Sequence, residues 1–207
     1  MKNVILIALT LCSSFVFASA EVGQPAPPFS LKGSDGKTYD LAKFTKDKKI
    51  VVLEWFNEGC PYVRKHYNSG NMQRLQKQLT AKGDVAWFTI SSSAKGKQGY
   101  LASTEDAAKM AASKNMANTA LLLDPGSTIA KAYQAKTTPH MFVIDKKGLV
   151  AYNGAIDSDD TARPMKVEEY QKNPEIKKFV EDAVVALQAE QKPKVTSHDP
   201  YGCSVKY

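Results

Sequence analysis

The stretch VVLEWFNEGCPYVRKHY, Val51 to Tyr67, decides how the rest of the chain is read. From Ile50 to Phe56 the residues are apolar except for Glu54, the pattern of a strand buried on both faces. Asn57-Glu58-Gly59 then makes a polar turn, and Cys60-Pro61 opens a helix, since proline is at home in a first helical turn. A cysteine at that point meets the positive end of the helix dipole and unpaired backbone N–H groups. Both favour the thiolate over the free thiol, whose pKa is roughly 8.5, and Arg64 and Lys65 in the next turn add positive charge. The competing reading is an inert cysteine that packs as a small apolar residue. The position that would complete a C-x-x-C pair is Val63.

The chain has 207 residues, enough for one domain of ordinary size, and is 43% hydrophobic and 24% charged, as soluble globular domains are. Its beginning stands apart. Met1-Lys2-Asn3 is a short basic start, Val4 to Phe17 an apolar run, and Ala18-Ser19-Ala20 an A-x-A cleavage site. This reads as a secretory signal peptide over residues 1–20, too short in its apolar part to span a bilayer, with Glu21 the first mature residue. Leu11 precedes Cys12 where a lipoprotein signal needs a small residue, so no lipid anchor is expected. The expected location is therefore secreted or periplasmic, without stable membrane insertion after cleavage.

Loss of Lys2 with the leader lowers the net charge from +7 to +6. The lysines are scattered and no aromatic residues alternate with them, so they read as a solvated basic surface and not as a nucleic-acid site. Two cysteines remain, Cys60 and Cys203, in a compartment where disulfides persist. Two are too few for a disulfide scaffold, and their expected role is chemical.

Periodicity gives the order of elements. Phe29–Leu31 and Tyr39–Leu41, joined by Ser34-Asp35-Gly36-Lys37, form a hairpin. The strand Ile50–Phe56 leads into a helix from Cys60 that Asn68-Ser69-Gly70 interrupts, and Met72, Leu75 and Leu79 mark its continuation. Val85–Ile90 is a strand and Ser91–Tyr100 a loop. Ser103 caps a helix through Met116, Ala120–Leu123 is a short strand, and Asp124-Pro125 starts a helix through Tyr133. Met141–Ile144 and Leu149–Asn153 make a second hairpin. Asn173-Pro174 caps a last helix with an apolar stripe from Ile176 to Leu187. The domain is expected over residues 21–190, with 191–207 a mobile tail carrying Cys203. The order implies an α/β three-layer fold.

Four segments in this order resemble the redoxin group, the AhpC-TSA or peroxiredoxin-like relatives of thioredoxin: PAPPFSLKGSDGKTYDL, VVLEWFNEGCPYVRKHY, LLLDPGSTIAKAY and TTPHMFVIDKKGLVAYNGAID. The ending GCSVKY is similar to that of one peroxiredoxin-like branch, so the resemblance covers about residues 23–206. It implies a thioredoxin-like fold with an N-terminal β-hairpin and a central peroxiredoxin-type insertion. It also implies a reactive sulfur at Cys60, a cis-proline at Pro139 against that sulfur, and a backbone at Thr138 able to pair with a substrate peptide. Glu54, six residues before Cys60, matches the buried acid of the thioredoxins by type and suits proton transfer, the other reading being an acid paired with a lysine at the strand end.

Three departures from the family's patterns bear on the chemistry. Where peroxiredoxins place a peroxide-orienting threonine this chain has Asn57, and where they place an arginine it has Pro139. Where thioredoxins have their second cysteine it has Val63. The expected activity is that of an exported thiol oxidoreductase in which Cys60 attacks disulfides or hydroperoxides. Thr138, Pro139, Asn57 and Pro61 shape its substrate groove. Cys203 is read either as a free thiol in a loose tail or as the resolving thiol, and the second is the expectation. One alternative is a thiol peroxidase in which Asn57 and backbone donors replace the missing threonine and arginine. Another is a non-catalytic module that binds peptides at Thr138-Pro139. No metal, haem or nucleotide is implied, because the sulfur is the redox centre, and an unidentified thiol would supply electrons. Asp157, Asp159 and Asp160 lack calcium-loop spacing and read as a solvated loop; His66 and His140 could shuttle protons near neutral pH, but read as merely exposed or hydrogen-bonded.

Overall fold

A computed structural model describes residues 20–207. The expected leader lies outside the described residues except for Ala20, which is buried and whose carbonyl accepts a hydrogen bond from Asn153 Nδ2 at 3.1 Å. No helix among the described residues is long and apolar enough to cross a membrane.

The N-terminal hairpin forms as β1 (Ser30–Gly33) and β2 (Thr38–Asp40), and Asp40 caps the short α1 (Leu41–Lys46) by accepting Ala42 N–H at 2.8 Å. The apolar run becomes β3 (Ile50–Trp55), buried at every residue. It lies between β4 (Val85–Ser91), to which it runs parallel, and β7 (Met141–Ile144), to which it runs antiparallel. Burial on both sides is what a nearly unbroken apolar sequence requires.

Between β3 and β4 come α2 (Pro61–Asn68) and α3 (Asn71–Thr80), separated at Ser69-Gly70. The central insertion supplies α4 (Thr104–Ser113), capped by Ser103, and β5 (Ala120–Leu123), which joins β4 in parallel. A short 3-10 turn and α5 (Thr128–Ala132) follow, then β6 (Thr137–Thr138), β7 and β8 (Val150–Gly154). The chain continues through α6 (Val167–Lys172) and α7 (Phe179–Gln188), and ends in β9 (Ser197–His198) and β10 (Cys203–Ser204).

The main sheet has eight strands in the order β2-β1-β5-β4-β3-β7-β8-β9, and β10 pairs separately with β6. Alternation along β3 divides the core. Ile50, Val52 and Phe56 pack with Val63, Met72, Leu75, Leu79, Phe179, Val180 and Val184 from α2, α3 and α7. Val51, Leu53 and Trp55 pack on the opposite side with Leu41, Phe88, Ala130 and Phe142. The result is the α/β three-layer arrangement, and Glu54 falls on the α2 and α3 side.

Three boundaries differ from the sequence reading. The helix after Ser103 stops at Ser113, where the Lys114 and Met116 N–H groups close the final turn on Met110 and Ala111 carbonyls. The last helix begins at Phe179; Asn173 instead accepts Glu175 N–H within a preceding turn. The tail is not loose. Asn153 N–H reaches Thr196 O at 3.1 Å, β9 lies parallel to β8, and His198 stacks on Phe179 at 4.4 Å between ring centroids.

Candidate active site

Cys60 is the N-cap residue of α2, with extended backbone and Pro61 following in the first turn. The preceding turn is closed by Cys60 N–H donating to Asn57 O at 3.0 Å and by Gly59 N–H donating to Asn57 Oδ1 at 2.9 Å. Asn57 Nδ2 in turn donates to Gln98 O at 3.1 Å, so this side chain ties the turn to the 91–100 loop. The approach is close. A Cβ on Gly99, whose φ is +81°, would lie 2.5 Å from Asn57 Oδ1. Pro61 is exposed, whereas Cys60, Thr138 and Pro139 are buried.

The Thr138–Pro139 peptide bond is cis, and the Cys60 thiol donates to Thr138 O at 2.9 Å. The β6 edge is already filled, because β10 runs antiparallel to β6 with Cys203 opposite Thr138 and Ser204 opposite Thr137. Gly202 makes that pairing possible. A Cβ there would lie 2.2 Å from Thr138 O, and its φ of +127° is one that L residues rarely adopt. Cys203 is thereby brought from 143 residues away in sequence onto Cys60, with both thiols free.

The pair is electrostatically unequal. Burial works to raise the Cys60 pKa. Hydrogen bonds from the Cys203 thiol, from the Thr138 side chain, and from the Cys203 and Val63 backbones outweigh it, so the net direction is down. For Cys203, burial, the hydrogen bond with Cys60 and repulsion from its charge push the thiol up to about 11. Of the two, Cys60 is the more acidic thiol, and Cys203 keeps its proton more firmly.

Glu54 is fully buried behind α2. Tyr67 Oη donates to its Oε1 at 2.9 Å, while Trp87 Nε1, Thr89 Oγ1 and Gln76 Nε2 donate to Oε2 at 2.9, 3.1 and 3.3 Å. Burial raises its pKa to about 7 against the pull of those four donors. It makes no strand-end lysine pair, and its hydrogen bonds go to neither thiol.

Sequence reasoning missed a second buried cluster. Asp157, assigned to a solvated loop, is fully buried; Tyr201 Oη donates to its Oδ1 at 2.6 Å and Tyr170 Oη to its Oδ2 at 2.8 Å. His66 and His140 are buried too, and desolvation lowers each to about 4, so both rings are neutral at pH 7. The Lys65 ammonium is buried against Asp159 Oδ2 at 3.2 Å and lies 4.9 Å from the Tyr201 ring centroid. The only trace in sequence was an unexplained tyrosine two residues before Cys203. Its partners lie 44 to 139 positions away, beyond the reach of any local pattern.

The Redoxin family model matches residues 21–172. No curated protein matches the chain. Among solved structures, an uncharacterized conserved protein from Geobacillus kaustophilus superposes with a TM-score of 0.72 at 23% identity, covering 91% of this chain and 93% of its own. A hypothetical protein from Sinorhizobium meliloti gives 0.72 at 21% identity, covering 92% and 96%. The thioredoxin domain of a thiol-disulfide oxidoreductase from Bacteroides vulgatus gives 0.50 at 17% identity, covering 64% and 86%. At these identities the likeness is one of fold, and the family rests on the match over most of the chain. With its thioredoxin-like fold and paired thiols, this chain belongs to the Redoxin family and is a thiol oxidoreductase, of the thiol-disulfide or thiol-dependent peroxidase kind.

Proposed function

We propose that the protein is an exported dithiol oxidoreductase in which Cys60 attacks a substrate disulfide and Cys203 resolves the adduct. The observation that carries this reading is the β10–β6 pairing, which sets Cys203 across from Thr138 and against Cys60. The Cys60 thiolate attacks one sulfur of the substrate disulfide; the other leaves as a thiolate and takes up a proton. The mixed disulfide has no charge on Cys60, so the repulsion that helped hold the Cys203 proton is gone. Cys203 then attacks Cys60 Sγ, and its proton passes to the second substrate sulfur, which leaves as a thiol. Two electrons have passed to the substrate, and the Cys60–Cys203 disulfide is returned to dithiol by an external thiol donor.

Thr138 and Pro139 line the thiol pair, and a peptide substrate pairs at Thr138 only after β10 has moved aside. Pro61 lies at the exposed rim of the site. Glu54 acts as a proton reservoir titrating near neutrality, joined to α2 through Tyr67. Asn57 is already engaged by Gly59 N–H and Gln98 O, which favours a disulfide over a hydroperoxide as the oxidant. Export rests on the basic start, apolar run and A-x-A site of residues 1–20.

The test is a disulfide-reduction assay run beside a hydroperoxide-consumption assay, with wild type, Cys60→Ser and Cys203→Ser. The reading predicts disulfide turnover that Cys60→Ser abolishes and that stalls in Cys203→Ser at a mixed disulfide on Cys60. Non-reducing mass mapping of oxidised wild type should recover the Cys60–Cys203 peptide pair. Turnover of hydroperoxide alone would replace the disulfide by the peroxide as substrate. Turnover that persists in Cys203→Ser without stalling would remove the resolving role.

A further inference from the structure

The helix that begins at Cys60 also carries, on its outer side, a receptor for the tail. Tyr62, Lys65 and His66 lie three and four residues apart, so they share one face of α2. All three meet the Tyr201 side chain. The Tyr62 ring centroid is 5.8 Å away, the Lys65 ammonium sits over the ring, and His66 Nε2 is 3.1 Å from the hydroxyl.

The polarity of the cluster is settled by its far end. Asn71 Nδ2 lies 3.2 Å from His66 Nδ1 and can only donate, so Nδ1 accepts and Nε2 carries the hydrogen of the neutral ring. That N–H donates to Tyr201 Oη, whose own proton goes to Asp157 Oδ1. The Tyr201 hydroxyl is therefore satisfied as donor and as acceptor inside the protein. Lys65 is fixed in turn by Asp159 Oδ2 and by the carbonyls of Asp159 and Thr161. A solvated tail has no need of such a socket.

We propose that Tyr201 is the positioning residue of the thiol pair, a clasp that holds Cys203 at Cys60 and so sets how readily the two close into a disulfide. The inference rests on the reading of Cys60 and Cys203 as a redox pair and names what makes that pair effective. A thiol on an unanchored arm after α7 would have at Cys60 only the effective concentration of a flexible tether, in the millimolar range, and loss of the clasp moves Cys203 toward that limit. Held in β10 by Tyr201 on one side and by Val205 N–H to Lys136 O on the other, it is presented in one orientation, where effective molarities rise by orders of magnitude.

The test uses the full chain and two readouts. Equilibration with oxidised and reduced dithiothreitol measures the closure constant: Cys60 and Cys203 lose two protons and two electrons to form their disulfide, and oxidised dithiothreitol is reduced. Separately, the rate of Cys203 alkylation at fixed pH in a Cys60→Ser background measures how firmly the tail holds the thiol. Tyr201→Ala should lower the closure constant at least ten-fold and raise the Cys203 alkylation rate at least ten-fold. Tyr201→Phe, which keeps the ring against Lys65 and Tyr62 but loses both hydrogen bonds, should fall between and guards against misfolding of the alanine variant. If wild type forms no Cys60–Cys203 bond but Tyr201→Ala still frees Cys203, the redox pairing fails and the clasp stands. If Cys203 alkylation is the same in all three proteins, the clasp is wrong whatever the closure constant does.

Discussion

Replacing Glu54 with glutamine tests whether burial governs this acid. In the folded protein its carboxyl keeps a proton up to about pH 7, whereas in the unfolded chain it releases the proton near its ordinary 4.5. Between those values the native state binds one proton that the unfolded state does not, so Glu54 makes stability fall as pH rises, by about 1.4 kcal/mol per unit. Across the window the loss totals about 3 kcal/mol, complete once the pH passes the folded pKa. Glutamine keeps an acceptor where Trp87, Thr89 and Gln76 donate, but sets an amide against the Tyr67 hydroxyl, a pH-independent cost of about 1 kcal/mol. The assay is urea unfolding of wild type and Glu54→Gln from pH 4.5 to 7.5. His66 and His140, neutral in the folded state, contribute with the opposite sign as pH rises from about 4 to 6.5, but they do so in both proteins and cancel in the difference. The stability of wild type relative to Glu54→Gln should therefore decline by about 3 kcal/mol over the series. A flat or rising difference would mean that Glu54 is already ionised when buried, and the argument from desolvation would be refuted.

The thiols should titrate far apart: alkylation rate against pH, read by peptide mapping, should show Cys60 below an ordinary thiol and Cys203 near 11. In Cys60→Ser the Cys203 midpoint should drop, and a Cys203 that titrates first would reverse the assignment. Gly202→Ala places a methyl 2.2 Å from Thr138 O at a φ of +127°; the strain, of order 1–3 kcal/mol, should detach β10 and speed modification of Cys60, as measured by alkylation and limited proteolysis. Asn57→Ala removes the bonds to Gly59 and Gln98 and should cost about 2 kcal/mol in chemical denaturation while loosening the turn before Cys60. Unchanged stability with altered peroxide turnover would instead mark Asn57 as a substrate group.

Much of the scaffold was legible because its signals are local. The unbroken apolar run of β3, the serine before α4 and the stripe of α3 each depend on neighbours a turn or a strand away. The place of Cys60 at a helix start was legible in the strand-turn-proline pattern, the cis-proline in the motif resemblance, and burial of Glu54 in its isolation among apolar residues. Asp157 was not legible. An aspartate beside Ser158, Asp159 and Asp160 has the composition of a solvated loop, and only the tyrosines of α6 and the tail remove it from water. The tail misled for a related reason. Prolines and missing periodicity describe how a segment folds alone, and this one is ordered by edges and sockets that other segments supply.

The 91–100 loop and the tail are joined by one hydrogen bond, Ala94 N–H to Lys206 O at 2.7 Å, and that same loop covers the turn before Cys60. Cys60 lies beneath both, fully buried. Lifting β10 therefore breaks the bond to Ala94 and loosens the loop in the same event, so the sulfur is uncovered from two sides by a single local unfolding step. In native-state hydrogen exchange the amides of Ala94 and Val205, distant in sequence and in different segments, should therefore open as one cooperative unit, with a free energy well below that of the β3 and β4 amides.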